Sequence, residues 1–255
     1  MKIAVCVKQV PSRDWQPQVA ASGLWIHEAS AAFEMNEPDA FALEESLRLK
    51  DTHGGEVVVC SAGPARVAQV LREALARGAD RAIHVEDDNL AIADPFVAAH
   101  VLASAMRDEQ FDLVLTGLQS DDQGWAQTGV VLAEYLGYAH ATIVMEVHAA
   151  GGILRVKREL EGGWFQWVGL SMPAVLTIQS GINQLRYATL KGIMAAKKKD
   201  IRRVAAPAAP PHRLDVVGVY PPEKTKTTRM LAGTPLDAAR QLLQCLREDA
   251  RVVAE

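Results

Sequence analysis

The sequence predicts an α/β protein whose mostly parallel sheet carries helices on both faces, with added β-hairpins and an extended C-terminal arm. In the first half of the chain, short apolar runs rich in β-branched residues alternate with amphipathic stretches. That alternation is typical of parallel strands buried on both faces. From Ala141 onward, alternating segments are separated by glycine pairs, which predicts hairpins. After residue 205 the chain becomes rich in alanine and proline and then polar, which indicates a linker and an arm.

Composition and cysteine usage narrow the class of protein. The 255 residues suffice for one large α/β domain with an appendage, and the net charge of −4 gives no overall attraction to nucleic acid or to membranes. Cys6, Cys60 and Cys245 form no CxxC pair, which argues against a disulfide framework and against a zinc site. The N-terminal apolar run is too short for a signal peptide, and no segment reaches the roughly 18 apolar residues of a membrane span. We therefore expect a cytoplasmic protein without membrane insertion.

Hydrophobic periodicity assigns the elements of the first half. The helix at 64–77 has the clearest signal, because its apolar residues fall on one face and Gly78 follows it. Parallel sheets bind ligands beyond the carboxyl ends of their strands. The apolar runs predict strands at residues 3–7, 56–60, 82–85 and 113–116, and the stretches between them predict helices at 40–49, 64–77 and 95–106.

The second half has a different organisation. Glycine turns join three alternating segments, a core strand follows them, and residues 186–203 hold seven basic side chains and one acidic side chain. The linker at 205–211 leads to a tail that is too poor in apolar residues to fold alone. We therefore expect a domain at 1–204 and, at 205–255, a linker and arm that pack on another chain. The pattern predicts strands at 141–149, 153–160, 164–168 and 173–178, and a helix at 235–248.

The segment 117–137 is the candidate ligand site. An apolar strand stops there, a polar turn follows at 119–124, and an amphipathic helix then begins. A helix start offers free N–H groups and a partial positive charge to an anion. Two further strand ends, at 7–9 and 61–64, should meet this segment at the same edge of the sheet. Small residues at two strand ends, Cys6 and Ala62, leave room for a flat ring such as adenine, although ordinary βα turns would give the same pattern.

A catalytic role for this segment is less favoured. Asp121 and Asp122 form a carboxylate pair that suits acid–base chemistry, but a helix cap or a turn formed by one of them, or by Ser120, is the more ordinary role. Both carboxylates would repel a phosphate unless their side chains point away. His84 and His100 are interpreted as core or surface residues, and motifs of phosphate-binding loops, dinucleotide folds, serine hydrolases and zinc peptidases are absent from the sequence. We therefore interpret the segment as an anion or nucleotide site.

Seven sequence blocks are not generic for α/β proteins: AVCVK at 4–8, MNEP at 35–38, GADRA at 78–82, RELEGG at 158–163, MPAVLT at 172–177, RYATL at 186–190 and KKK at 197–199. Together they resemble the β subunit of electron transfer flavoproteins, over about residues 1–201. The polar turn, together with GIN at 181–183, is similar to the branch that serves amine dehydrogenases in methylotrophic bacteria. The resemblance implies a bacterial cytoplasmic protein with an adenine-nucleotide-binding, Rossmann-like sheet.

The resemblance also implies a heterodimer with an α subunit. The heterodimer would carry electrons from a flavin-containing dehydrogenase to a quinone oxidoreductase or another acceptor. FAD would be held mainly by the α subunit and covered by this chain, which would itself bind a structural AMP with the phosphate on a helix beginning near Gly124. The family's nucleotide positions correspond here to Cys6, Asn36, Glu37, Pro38, Asp39, Ala62, Gly117, Gln119, Ser120, Asp122, Gln123, Gly124, Trp125, Ala126, Gln127 and Thr128.

Two departures from the family leave alternatives open on the flavin side. Many members have an aromatic residue where this chain has Pro38, so Arg13 or Trp15 is expected to serve instead. Flavin-bifurcating members, which bind a second FAD, read DGDTAQVG where this chain reads DDQGWAQTG, so AMP is favoured over that FAD. Glu159 aligns with a family carboxylate that meets an arginine of the mobile flavin domain.

The resemblance implies a partner-recognition loop in the basic stretch. A family leucine at the position of Leu190 inserts into a pocket on the dehydrogenase, and Tyr187 and Lys191 lie beside it in the sequence. A core position for Leu190 in a helix running to Ala196 is the alternative. Residues 197–199 are interpreted as a solvated helix face, since no aromatic platform for nucleic acid accompanies them. A stand-alone adenine-nucleotide-binding protein, similar to universal stress proteins, is the rival function.

Overall fold

A computed structural model describes residues 1–208, 210–222 and 228–252 of the chain. The chain divides into two compact units, Met1–Val219 and Tyr220–Glu255. The expected arm at 205–255 therefore contributes its first part, up to Val219, to the main unit. Ala209 of the expected linker lies outside the described residues, as do 223–227 and 253–255 of the expected arm.

Among the described residues of the first unit, eleven strands lie in two sheets. Their bounds are β1 Lys2–Cys6, β2 Gln9–Pro11, β3 Phe33–Met35, β4 Glu56–Gly63, β5 Arg81–Glu86, β6 Leu113–Gly117, β7 Ala139–Ala150, β8 Ile153–Glu159, β9 Phe165–Ser171, β10 Ala174–Ile178 and β11 Ile201–Ala205. The main sheet has the order β11-β5-β4-β1-β6-β10-β7-β8-β9, and β2 pairs with β3. All neighbours from β11 to β7 are parallel, whereas β8 and β9 add two antiparallel strands. The predicted parallel sheet with hairpins is thus confirmed.

The α-helices of the first unit cover both faces of the sheet. Ile3 and Val5 of β1 pack with residues of the first two helices, whereas Ala4 and Cys6 pack with residues of the next two. Strands buried on both faces need apolar residues at every position, which is why they are continuous apolar runs in the sequence. The helices are α1 Glu37–His53, α2 Ala68–Arg77, α3 Pro95–Met106, α4 Thr128–Leu136 and α5 Leu190–Ala196; α6, Pro235–Glu248, lies in the second unit.

The chain reverses its direction across the sheet between β1 and β6. From β1 it proceeds through α1 to β4 and then to β5, but from β5 it returns through α3 to β6 on the other side of β1. A crevice opens at such a switch point beyond the carboxyl ends of the two strands. The topology therefore places the candidate ligand site between the ends of β1 and β6.

Three helix starts differ from the predictions. The helix α1 begins at Glu37, earlier than residue 40, because Asn36 is its N-cap and Pro38 fits the first turn. The predicted helix at 64–77 begins as a 3₁₀ turn and becomes α-helical at Ala68. The helix expected near Gly124 begins at Thr128, since Gly124 and Ala126 have φ angles of 63° and 55° that no right-handed helix contains.

The strand β11 was not predicted. It lies in the basic stretch and forms the edge of the sheet beside β5. Arg202 and Arg203 are exposed there, so the strand shows neither a continuous apolar run nor a regular alternation. The predicted helix at 235–248 is confirmed with the same bounds.

Candidate functional site

An open cleft lies beyond the carboxyl ends of β1 and β6. Its walls come from the ends of β1, β4 and β6, from the polar turn after β6, and from residues of α3 and α4. Of the predicted nucleotide-binding residues, the cleft is lined by Cys6, Asn36, Asp39, Ala62, Gly117, Gln119, Ser120, Gln123, Trp125, Ala126, Gln127 and Thr128.

Asp39 ties the two strand ends together beneath the cleft. Its buried carboxylate accepts hydrogen bonds from the backbone N–H of Lys8 at 2.7 Å and of Gly117 at 2.8 Å. Burial raises the pKa of Asp39 to about 7, and the two N–H donors act in the opposite direction. Gly117 is required at this contact, because a Cβ atom there would lie 2.5 Å from Asp39 Oδ1 and 2.6 Å from Pro38 Cβ. Pro38 therefore has a packing role next to the cleft.

Asn36 holds the polar turn in place. Its Nδ2 donates to Gln119 O at 3.0 Å, and its Oδ1 accepts from the N–H of Asp121 at 2.9 Å. Within the turn, the Gly124 N–H donates to Ser120 O at 3.0 Å. The sequence left open whether Ser120 caps the following helix or shapes the turn. In the structure it shapes the turn.

Both aspartates of the turn are paired with cations. Lys8 Nζ lies 2.7 Å from Asp122 Oδ1, and it also contacts Gln123 Oε1 at 2.8 Å. Arg13 Nη2 lies 3.3 Å from Asp121 Oδ2 and pairs in addition with Glu37. Each carboxylate is therefore partly neutralised. Because of these pairs, the two acids do not exclude an anion from the neighbouring cleft.

The start of α4 supplies free donors to the cleft. Its N-cap residue, Gln127, makes no side-chain cap, so the N–H groups of the first turn, beginning with Thr128, are not bonded by a capping side chain. Ala126 stands just before it in the left-handed region, at a φ of 55°. Such a conformation is uncommon for a residue with a Cβ atom and is found preferentially at ligand sites. Backbone N–H groups at such a helix start are able to bind an anion.

The opposite wall is small and unreactive. Cys6 and Ala62 stand at the ends of β1 and β4. Burial raises the pKa of the Cys6 thiol well above its usual value, and that of Cys60 to about 12, so neither is a thiolate at neutral pH. Cys6 therefore serves as an apolar surface and not as a nucleophile.

Sequence reasoning placed some residues on the cleft that the structure puts beside it, and it missed others. Glu37, Pro38, Asp122 and Gly124 stand behind or beside the lining, where they form the pairs and turns described above. The predicted strand end at 7–9 includes Lys8, but the sequence did not predict that Lys8 contacts the polar turn. A wall from the start of α3 was missed, although Asp94 followed by Pro95 is a helix-start signal; its lining residues are Leu90, Ala91, Ala93, Pro95, Ala98 and Leu102.

A second cavity adjoins the same turn. Three tryptophans, Trp15, Trp25 and Trp125, line it together with Arg13, Asp121 and segment 216–219. Trp125 lines both cavities. Two residues expected near a flavin, Arg13 and Trp15, are thus brought together in an open aromatic site.

Glu159 lies apart from both cavities. It is the last residue of β8, half-buried, and its Oε2 is 3.4 Å from Gln179 Nε2. The structure gives Glu159 no ion pair among the described residues. Its carboxylate is therefore available to a cation of another chain.

The expected partner segment forms α5 and the loop before it. Tyr187 and Leu190 are 91% and 79% exposed. Leu190 does begin a helix that runs to Ala196, as the alternative interpretation held, but its side chain does not enter a core. Lys191 is exposed beside it. The solvated-face interpretation of 197–199 is wrong for Lys199, whose Nζ donates to Leu75 O at 3.1 Å and to Ala79 O. This lysine caps the end of α2, and burial lowers its pKa.

The described residues hold neither a metal-binding cluster nor a membrane-spanning helix. No group of three or more His, Cys, Asp and Glu side chains is arranged to hold a metal ion there. No helix in that part of the chain is both long and apolar enough to cross a membrane.

Comparisons with known proteins agree on one family. A family model described as the electron transfer flavoprotein domain matches residues 23–209. The chain is 38% identical to an electron transfer flavoprotein subunit beta of Methylophilus methylotrophus, over 97% of this chain and 98% of that one. It is 36% identical to the subunit beta of Bradyrhizobium diazoefficiens, over 99% and 100% of the two chains. It is 34% identical to the human subunit beta, over 99% of each chain.

Proposed function

The chain belongs to the electron transfer flavoprotein family, among its β subunits, and from this premise we propose that it acts in a heterodimer that carries electrons. The heterodimer takes electrons from a flavin-containing dehydrogenase and passes them to a quinone oxidoreductase or another acceptor. The chain binds a structural AMP and covers an FAD that the α subunit holds. It has no substrate turnover of its own, and it works in the bacterial cytoplasm.

The cleft between β1 and β6 is the observation that supports AMP. An adenine ring needs a wall of small residues, which Cys6 and Ala62 supply, and a phosphate needs N–H donors, which the uncapped start of α4 supplies. The pairs Lys8–Asp122 and Arg13–Asp121 remove much of the repulsion that the turn would otherwise exert on a phosphate. The residues present therefore fit a nucleoside monophosphate.

The cavity with three tryptophans supports a role on the flavin side. Its apolar rings suit a planar aromatic group, and Arg13 adds a cation at its edge. Trp15 and Arg13 take the place of the aromatic residue that many relatives carry where this chain has Pro38. FAD, when bound, supplies the redox chemistry, and this chain contributes binding and exclusion of water.

The partner sites lie on three other features. Tyr187, Leu190 and Lys191 form the surface that docks the dehydrogenase, since an exposed leucine beside positive charge suits a transient complex. Glu159 meets a cation of the flavin domain. The helix α6, whose leucines are all at least partly exposed in the described chain, packs on the α subunit.

Co-expression with the α subunit tests the assignment. The purified heterodimer should show a flavin absorption spectrum, and acid extraction should release AMP and FAD in equal amounts. Two FAD and no AMP would place the chain in the bifurcating branch. A chain that binds an adenine nucleotide but never assembles with an α subunit would instead be the stand-alone nucleotide-binding protein.

A further inference from the structure

The helix α5 presents an apolar face to solvent. Leu190, Ile193 and Met194 are 79%, 44% and 57% exposed, and they lie at positions i, i+3 and i+4 of the helix. We call these three residues the apolar face of α5. Side chains at such spacing contact a partner together, so the docking surface extends one turn beyond Leu190.

The opposite side of α5 is packed tightly on α2. Ala196 is buried, and a Cβ atom on Gly192 would lie 2.3 Å from Ala76 O. At about 100° per residue, Met194 lies roughly opposite the midpoint between Gly192 and Ala196. Met194 therefore occupies the centre of the outward side.

Two long cations lock α5 in this orientation. Arg72 of α2 donates from Nη1 to Ala196 O at 2.6 Å and to Lys199 O at 2.7 Å, which caps the end of α5. Lys199 in turn donates to Leu75 O and Ala79 O at the end of α2. Because each helix is capped by a side chain from the other segment, α5 cannot rotate Met194 away from a partner.

Met194 differs from most methionines of the chain in its accessibility. Of the seven methionines, it and Met230 are the two that are largely exposed, at 57% and 86%. Met35 and Met106 are buried, and the remaining three are partly buried. Exposed thioethers are the ones that peroxide reaches.

We propose that Met194 is a redox-modification site that switches off docking of the dehydrogenase. Hydrogen peroxide transfers one oxygen atom to Sδ: the peroxide O–O bond breaks, an S–O bond forms, and water leaves. The sulfur is oxidised by two electrons and the peroxide is reduced by two. The product is methionine sulfoxide, and methionine sulfoxide reductases restore the thioether.

The physical effect follows from the polarity of the sulfoxide. An apolar side chain at the centre of a docking face becomes a strong hydrogen-bond acceptor, which must lose its water when the partner binds. The lock between α5 and α2 keeps that group in the interface. We expect binding to weaken roughly five- to a hundredfold. This inference rests on the proposed function, because it needs α5 to be the docking helix.

The test compares variants in the heterodimer with the α subunit. The probe is a purified amine-oxidising flavin dehydrogenase that reduces the wild-type heterodimer, and affinity is measured by surface plasmon resonance before and after treatment with hydrogen peroxide. Peptide mass spectrometry records which methionines gain one oxygen atom. Met194→Gln places a polar group at the site without oxidation, Met194→Leu removes the thioether, and Met230→Leu is the matched control at the other exposed methionine.

We expect peroxide treatment to weaken dehydrogenase binding of wild type and Met230→Leu equally, while Met194→Leu keeps its own untreated affinity. Untreated Met194→Gln should bind about as weakly as oxidised wild type, with an unchanged thermal melt. Normal binding of Met194→Gln, or equal sensitivity of Met194→Leu to peroxide, overturns the inference. Leu190→Ala distinguishes failure of the docking role of α5 from failure of the role of Met194. If Met194→Gln and Leu190→Ala both bind normally, the proposed docking role of α5 fails. If only Leu190→Ala binds weakly, that docking role stands and the role of Met194 is rejected.

Discussion

Lys8 Nζ lies 2.7 Å from Asp122 Oδ1, so a cation that follows β1 holds an acidic turn that follows β6. The two residues are far apart in the sequence and meet only because the two strands are neighbours in the sheet. Without Lys8, the carboxylate of Asp122 would stand unpaired beside the cleft. The ion pair therefore links the topology of the sheet to the charge of the proposed nucleotide site.

Lys8→Gln should reduce retention of AMP by the heterodimer roughly three- to tenfold, because it leaves Asp122 as an unpaired negative charge beside the phosphate. The measurement is AMP per FAD after gel filtration and acid extraction. Lys2→Gln is the control, since Lys2 pairs with Glu109 at the opposite end of β1. Equal AMP content in both variants would show that the Lys8–Asp122 pair has no part in binding.

Thr128→Glu should lower AMP affinity about tenfold or more, on the order of 1.4 kcal/mol, through repulsion of the phosphate. Thr128 is the first residue of α4 and lines the cleft. Thr128→Gln has a similar size without the charge and isolates the electrostatic effect. Isothermal titration of AMP into the nucleotide-depleted heterodimer checks this. If Thr128→Gln loses as much affinity as Thr128→Glu, the effect is steric and not electrostatic.

Glu159→Ala should change the rate of electron transfer about fivefold while the thermal melt stays within a degree or two. The expected size reflects one partly exposed charge pair with the flavin domain. Glu161→Ala removes an exposed carboxylate from the turn just beyond and is the control. Stopped-flow reduction by the dehydrogenase is the measurement, and identical rates in the two variants would reduce Glu159 to an ordinary surface charge.

Glu109 should govern stability in acid. Hydrogen bonds from Arg81, with Lys2 in addition, lower the pKa of Glu109 to about 2 from its usual 4.5. The stabilisation is therefore present above pH 4.5 and is lost as the pH falls toward 2. Glu109→Gln should cost about 1–3 kcal/mol at pH 7 and flatten the loss of stability between pH 4.5 and 2. Urea unfolding at a series of pH values checks this. Glu73→Gln, which breaks a partly exposed i,i+4 pair, should cost below about 0.5 kcal/mol.

The sequence predicts the core strands well because each is buried on both faces. In β1, every residue after Lys2 is buried, and that leaves an apolar run. The edge strand β11 does not need an apolar residue at every position. Its exposed Arg202 and Arg203 interrupt the apolar pattern from which a strand is predicted. The start of α4 was misplaced because an amphipathic pattern does not reveal the left-handed backbone of Gly124 and Ala126.

The candidate site was predictable as far as it depends on strand ends. Small residues at the ends of β1 and β4, and a helix start after β6, can be recognised from local patterns. The pairing of Lys8 with Asp122 and the burial of Lys199 against α2 join distant residues, so no local pattern contains them. Long-range ion pairs and caps therefore had to come from the structure.

The arm is expected to assemble with the α subunit through α6. Leu236, Leu242 and Leu243 of this helix are exposed on one side, and a capping box of Thr234 and Asp237 defines its start. Truncation after Val219 removes the second unit, and it should weaken heterodimer assembly by about a hundredfold or more, since burying several leucines contributes roughly 1.5–3 kcal/mol each. The circular dichroism melt of the remaining chain should persist, because Leu214 and Val219 bond to Asp94 and Gly23 within the first unit.

Leu243→Glu should weaken assembly in the full chain, whereas Gln244→Glu, at its exposed neighbour, should not. Native mass spectrometry of the mixed subunits gives the affinity. Normal assembly of both Leu243→Glu and the truncated chain would show that α6 is not part of the interface.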